Sequence, residues 1–361
     1  FFTEGFAGPI TGQPPLLETP VVSFGEIKTL LSSTGLNFPS NVVGADVEGY
    51  LPMVMNFSLS VQRDVGYGTV IDVGYGGSLG RHLLWRRDIN PIPLGANFDP
   101  KNADATVPGQ PLPSAFLRPY TGFNNILMME GASSSNYHSL QVQAKRRFAV
   151  GLQFGLAWTW SKAMDFNDGD GDSVSPLVPV RVWNYGLASF DRTHVFRINY
   201  VWDVPEVRLG GPIARHVLNG WQLSGITNFS SGEPLGIGYS TTTAIDITGS
   251  ASQGARVVVT GNPVLPKSKR TFYRHFNTDV FRLPAVGTIG NAAKTLIRGP
   301  GVNNWDTAIF KNFPITERAR LQFRWEIYNV FNHTQFSGLD TGARFDPKTG
   351  EQVNTRFGQF T

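Results

Sequence analysis

The side chains able to do chemistry in this sequence are few and dispersed. Six histidines, His82, His138, His194, His216, His275 and His333, include no i, i+4 pair and no HExxH, so the two-histidine helical zinc site is missing. Neither a GxSxG elbow nor a phosphate loop occurs, and with Cys 0 the chain has no thiolate nucleophile or ligand. An enzyme is not expected. The sharpest local feature is acidic: Asp165, Asp168, Asp170 and Asp172 fall in one Gly-bearing run. Hard carboxylate oxygens on a flexible loop suit Ca²⁺. Asp168, Asp170 and Asp172 match the first three ligand positions of an EF-hand, but Ser173 stands where Gly is required and Pro179 where the bidentate Glu belongs. The competing reading is a solvated acidic loop. No cofactor is expected beyond that external-loop Ca²⁺.

A second constellation depends on the chain being extended. In a strand, Arg324 and Glu326 project to one side, opposite Phe323, Trp325 and Ile327. Gln141, Gln143, Lys145, Arg197 and Asn199 share this pattern of polar residues between apolar ones. An ion pair that sets register, a contact with another part of the protein and a contact with solute are all compatible with these residue types.

The elements that position these groups are strands. Segments of about ten residues alternate apolar and polar with period two. In Met53 to Gln62, Met53, Met55, Phe57, Leu59 and Val61 form one face. Thr69 to Gly76 and His138 to Phe148 follow the same rule, and in the next segment Val150, Leu152, Phe154, Leu156, Trp158 and Trp160 oppose Gly, Gln, Ala, Thr and Ser. His194 to Asp203, Trp221 to Phe229, Trp305 to Phe313 and Arg320 to Phe331 complete the series. The connections alternate short and long: Arg63 to Gly68, Phe148 to Gly151 and Pro314 to Ala319 are short, and Val204 to Gly220 is intermediate. Gly77 to Asn136, with its Pro-rich Pro91 to Pro119, Lys162 to Asp191 and Ser231 to Asn304 are long.

Strands of this length, with short turns at one rim and long loops at the other, are expected of an all-β, antiparallel transmembrane β-barrel. Lipid cannot hydrogen-bond a backbone, so the strands must pair, with apolar faces outward and polar faces toward the lumen. Composition agrees. Charged residues are 16%, Gly is 40 of 361, and Phe 26, Tyr 10 and Trp 8 supply aromatics for the two interfaces. Trp158 and Trp160 lie toward one rim, and Trp202 and Trp221 flank the intermediate connection. The net charge of +4 is too mild to imply nucleic acid. No apolar run reaches the 18 or so residues of a spanning helix. The chain opens on Phe1 without Met or a leader, as an internal piece of a longer protein would.

Several blocks carry a resemblance. Asn136-Tyr137-His138-Ser139-Leu140-Gln141-Val142-Gln143, Ser189-Phe190-Asp191-Arg192-Thr193-His194-Val195-Phe196 and Gly220-Trp221-Gln222-Leu223-Ser224-Gly225 resemble barrel segments of TonB-dependent receptors, in particular the Oar-like branch. So do Ser231-Gly232-Glu233-Pro234-Leu235, Arg298-Gly299-Pro300-Gly301, Phe310-Lys311-Asn312-Phe313 and the run Phe323 to His333. In this order they cover most of Leu51 to Phe360. The resemblance implies the later part of a 22-stranded barrel in the outer membrane of a Gram-negative bacterium. Its plug, coupling box and signal peptide would lie upstream, and its last strand beyond Phe357-Gly358-Gln359-Phe360. It further implies uptake of an unidentified solute (iron chelate, glycan or peptide) driven by the TonB complex through upstream regions. The rival role is an adhesion or envelope-organising surface protein of the same architecture. Residues 1–361 are thus expected to be one partial barrel that contacts outer-membrane lipid and does not close alone, with short turns periplasmic and long loops outside.

Overall fold

The structure, a computed structural model, describes residues 40–361 apart from 170, 208–210 and 317, together with the strand segments Phe2–Thr3, Leu31–Ser32 and Gly35–Leu36. Period-two segments pair in chain order as an antiparallel meander. Its strands are β1 Met53–Gly66, β2 Thr69–Asp88, β3 Phe123–Ala149, β4 Leu152–Asp165, β5 His194–Asp203, β6 Trp221–Ser230, β7 Val302–Thr316 and β8 Ala319–Ile327. Each pairs with the next. The sheet is not closed: among the described residues β1 and β8 have a strand partner on one side only. A short strand, Ser40–Ala45, runs parallel to the beginning of β3, with Val42 opposite Ile126.

Register carries the two faces across the whole sheet. Val61, Val73, Val142, Trp158, Phe196 and Phe229 are successive cross-strand partners. One residue along, Gln62, Asp72, Gln143, Ala157, Arg197, Asn228 and Asn304 form the matching polar row. A slip of one residue in any pair would put an apolar set among polar neighbours. Two of the short links are two-residue turns with both residues at positive φ, Tyr67 (54°) with Gly68 (70°) and Val150 (51°) with Gly151 (74°). Positive φ at both positions is the hairpin geometry that matches strand twist. Val150 therefore sits exposed in the turn and does not head the apolar row of β4.

Several expected boundaries shift. Gly77 to Asn136 is not all loop: β2 runs on to Asp88 and β3 begins at Phe123, so the connection is residues 89–122. The continuation was hidden because His82 adopts φ 53° and the register shifts on either side of Leu83, which breaks the alternation. β4 likewise continues to Asp165, where Gly186 pairs with it. β8 ends at Ile327 rather than Phe331, because Asn329 (φ 47°) and Asn332 (φ 50°) turn the chain away. The 27 residues of β3 far exceed the roughly 9–11 that a tilted strand needs to cross hydrocarbon, so its first half stands above the apolar belt. Among the described residues no helix is long and apolar enough to cross a membrane.

The two faces respond differently to charge. Ile198→Arg, at mid-belt on the apolar face, is expected to cost about 2–4 kcal/mol. Asn199→Arg, one residue on, should stay within about 0.5 kcal/mol. Urea unfolding of the complete protein in lipid vesicles measures both.

Candidate functional site

The polar face gathers the residues singled out by alternation. Gln141 and Gln143 line one depression of about 210 Å³ with Ser58, Ser60 and Asp72. Asn199, Arg324 and Glu326 line a second, of about 340 Å³, with Ser224 and Asp306. Lys145, opposite Gly155, and Arg197, opposite Ala157, lie on the same face outside both depressions. Arg324 and Glu326 form an ion pair, and the Arg324 guanidinium lies 5.3 Å from the centre of the Phe310 ring. Both side chains keep substantial exposure, so the pair holds its groups in place for well under about 1 kcal/mol.

Above this face the long connections are tied at one junction. Asp191, whose side chain is 1% exposed, accepts from Arg298 Nη2 at 2.5 Å through Oδ2 and from the Ala163 N–H at 2.7 Å through Oδ1. Arg298 also donates to the Asp191 and Gly232 carbonyls. Arg192 pairs with Glu233 at 3.1 Å, and the Ser231 hydroxyl accepts from the His194 N–H at 3.0 Å. Close backbone approach demands glycine here: a Cβ at Gly232 would collide with the Gly299 carbonyl, and one at Gly301 would lie 2.5 Å from the Ser230 carbonyl. The β4–β5 and β6–β7 connections are thereby fastened to the top of the sheet.

The β6–β7 connection is itself folded. Ile237, Val257, Phe276, Phe281 and Ile297 pack with Leu339, Ala343, Phe345 and Phe357 from the segment after β8. Gly238–Thr241 and Gly342–Phe345 pair in parallel between them. The β2–β3 connection joins through Gly95 N–H to the Thr248 carbonyl (2.8 Å) and the Asn97 amide to Asp246 (2.6 Å). Within it, fully buried Asn90 donates to the carbonyls of Tyr120, Phe123 and Asn124 and accepts from the Tyr120 N–H.

The described carboxylates of the acidic run make contacts within the protein. Asp165 is buried at the end of β4 and pairs with Lys294 Nζ at 2.7 Å, which also lies 3.7 Å from Asp168. Asp168 accepts the Ser189 N–H, and Asp172 accepts those of Asp168 and Gly169. Asp170 lies outside the described residues. Among the described residues no three His, Cys, Asp or Glu side chains converge as a metal site. Burial pushes the Asp165 carboxyl up to about 6, against the opposing pull of Lys294 and with a further push from Asp168.

Sequence reasoning did not single out Asp191, Arg298, Lys294 or Asn90. Asp191, Arg298, Arg192, Glu233 and Gly232 all lie in blocks that carry the family resemblance, and that was the available signal. Lys294 and Asn90 had none, because their partners are distant in sequence.

A wide antiparallel sheet with one apolar and one polar face, capped at one rim by folded loops, defines a membrane β-barrel wall. The family model described as an outer membrane beta barrel domain matches residues 3–361, and the chain belongs to that family. Its place is the outer membrane of a Gram-negative bacterium. No curated protein matches the chain. Among solved structures it is similar to the outer membrane transporter YddB from Escherichia coli, with 9% identity and a TM-score of 0.43, over 88% of this chain and 33% of that one. The chain thus spans about a third of the length of that transporter.

Two outcomes test the junction. Arg298→Ala leaves Asp191 buried without its cation, which typically costs about 3–5 kcal/mol. Hydrogen exchange should accelerate at 188–194, 231–235 and 297–301 while the spans of β4 to β6 keep their protection. For Asp165, a folded value of about 6 above the ordinary 3.8 means that the folded state binds the proton more tightly. Its contribution to loop stability is therefore full below about pH 4 and lost as pH rises through 6. Asp165→Asn should remove that component from the pH dependence of loop proteolysis.

Proposed function

We propose that the chain is part of the wall of a TonB-dependent, Oar-like outer-membrane receptor that takes up a solute through its lumen. The supporting observation is the predominantly polar face beneath a folded set of loops, with Gln141, Gln143, Asn199, Arg324 and Glu326 in two depressions on it. Small neighbours such as Ser58, Ser60, Gly74 and Gly76 leave that wall smooth. The blocks resembling the Oar-like branch add to this, since Asp191, Glu233 and Arg298 are the residues that tie the loops above the wall.

In this reading the apolar face meets lipid and the polar face lines the lumen. The turns at Tyr67–Gly68 and Val150–Gly151 lie in the periplasm, and the folded loops face outside, where they meet the solute first. Energy enters through the inner-membrane complex by way of a plug encoded elsewhere in the protein. Iron chelates, glycans and peptides are the solute classes this reading admits.

Uptake by cells carrying the complete protein should stop when the energy complex is removed. Uptake that persists, or a complete protein with no coupling box, would favour the adhesion or envelope role. Arg324→Ala combined with Glu326→Ala is expected to lower uptake several-fold. It should leave unfolding of the barrel within about 1 kcal/mol of the parent, because the pair is exposed.

A further inference from the structure

The intermediate connection between β5 and β6 contains the chain's second α-helix, α2 Pro212–Leu218; the first, α1 Val180–Asn184, lies in the β4–β5 connection. It exposes apolar side chains beside Arg215 and His216: Ile213 is 82% exposed, Val217 59% and Leu218 48%. Ile213 and Val217 are four apart and share a face, whereas Arg215 projects to the other side. This patch adjoins the apolar face of the sheet. The Trp221 indole N–H donates to the Val217 carbonyl at 2.9 Å, and exposed Trp202, Phe313 and Ile315 stand beside it at the same rim.

A second observation locks the helix there. Lys311 lies on the apolar face of β7, opposite Trp221 and Phe323. An ammonium facing hydrocarbon is costly, yet Lys311 is only 3% exposed. Its Nζ donates to the carbonyls of His216 (2.7 Å), Val217 (3.1 Å) and Asn219, and it lies 5.0 and 5.3 Å from the centres of the Trp221 and Phe313 rings. Those carbonyls are the orphan acceptors at the negative end of α2. The link is short and stiff as well: a Cβ on Gly220, at φ 78°, would lie 2.6 Å from the Asn312 carbonyl. The Asn219 side chain exchanges hydrogen bonds with the Val207 backbone.

We infer that α2 is an interfacial anchor, lying in the headgroup and acyl-chain boundary at the short-turn rim with Ile213 and Val217 in the acyl chains, held by Lys311. The occupant is lipid, because Trp221 and Lys311, both on the lipid-facing side of the sheet, hold the helix carbonyls and so seat the helix on that surface. The helix carries Ile213 and Val217 on one side and Arg215 on the other, with exposed His216 at the border, a division of the kind interfacial helices use. Which leaflet it enters follows from the orientation proposed above. The experiment reads depth and not side, so failure of either idea is distinguishable.

The chain has Cys 0, which permits single-cysteine labelling. Ile213→Cys, Val217→Cys, Arg215→Cys and Val264→Cys are made in the complete protein, in a background free of other cysteines, and labelled with an environment-sensitive fluorophore. The protein is reconstituted in phosphatidylethanolamine and phosphatidylglycerol vesicles with brominated acyl chains. Labels at 213 and 217 should be blue-shifted and quenched by the bromines, whereas those at 215 and 264 should not. Water-like emission at 213 and 217 would overturn the proposal. So would a blue shift without bromine quenching, which means that protein, a second copy included, covers the helix. Lys311→Met should move the label at 213 toward water-like emission with loss of quenching; an unchanged label would overturn the holding role of Lys311. If that variant fails to fold, the contrast between 213 and 215 still decides the lipid contact.

Discussion

A backbone crossing hydrocarbon has no water to bond, and the organisation of this chain descends from that constraint. Each N–H and C=O must find its partner on a neighbouring strand, so the segments are long, consecutive and antiparallel. Once the pairs form, side chains alternate between two environments of opposite polarity, and the hydrophobic effect selects the register. Gln143, Ala157, Arg197 and Asn228 become neighbours across the polar face for the same reason that Val142, Trp158, Phe196 and Phe229 do across the apolar one. The polar wall is thus a consequence of lipid on the other side, available for function without separate construction.

Above the belt the constraint changes, because water can satisfy the backbone and loops need another reason to hold one shape. Here the reason is a set of charges removed from solvent. Asp191 is so deeply buried that it depends on Arg298 and on the Ala163 N–H, whereas the exposed Arg192–Glu233 pair contributes little alone. The asymmetry between breaking a buried pair and breaking an exposed one decides which contact controls the junction. Once Asp191 pins the β4–β5 connection to Arg298, the apolar cluster around Phe276, Phe281 and Phe345 has a fixed base on which to pack.

Legibility followed the reach of local pattern. All of the meander strands were visible as period-two segments, since the alternating environments act residue by residue. The extensions of β2 and β3 were not, because the irregularity at His82 shifts the phase and the strands there no longer lie between lipid and lumen. Arg324 and Glu326 could be placed on one side from their spacing alone. The acidic run was visible as a cluster of oxygens, but its use was not: Lys294, the partner of Asp165, is more than a hundred residues away. Lys311 stands in a motif that carries the family resemblance, and alternation would place it with the apolar set. Its rescue by the carbonyls of α2 is a tertiary fact with no local signature.

The height of the belt ties these parts together. His194 faces Trp160 at one end of the β4–β5 pair and Trp202 faces Leu152 at the other, a ladder of nine residue pairs. At roughly 3.4 Å per residue and a tilt near 40°, such a ladder is about 23 Å tall, close to the apolar band of an outer-membrane barrel. The buried charges lie at or beyond its limits. Asp165 and Asp191 stand past the Trp160 end, and Lys311 opposes Trp221 at the other, beside Trp202. Between these limits the outward residues of β4 and β5 are apolar or aromatic. The ion pairs and the lysine therefore mark where hydrocarbon stops: each is placed where a charge can still find a protein partner, and each fastens the element that caps its own rim.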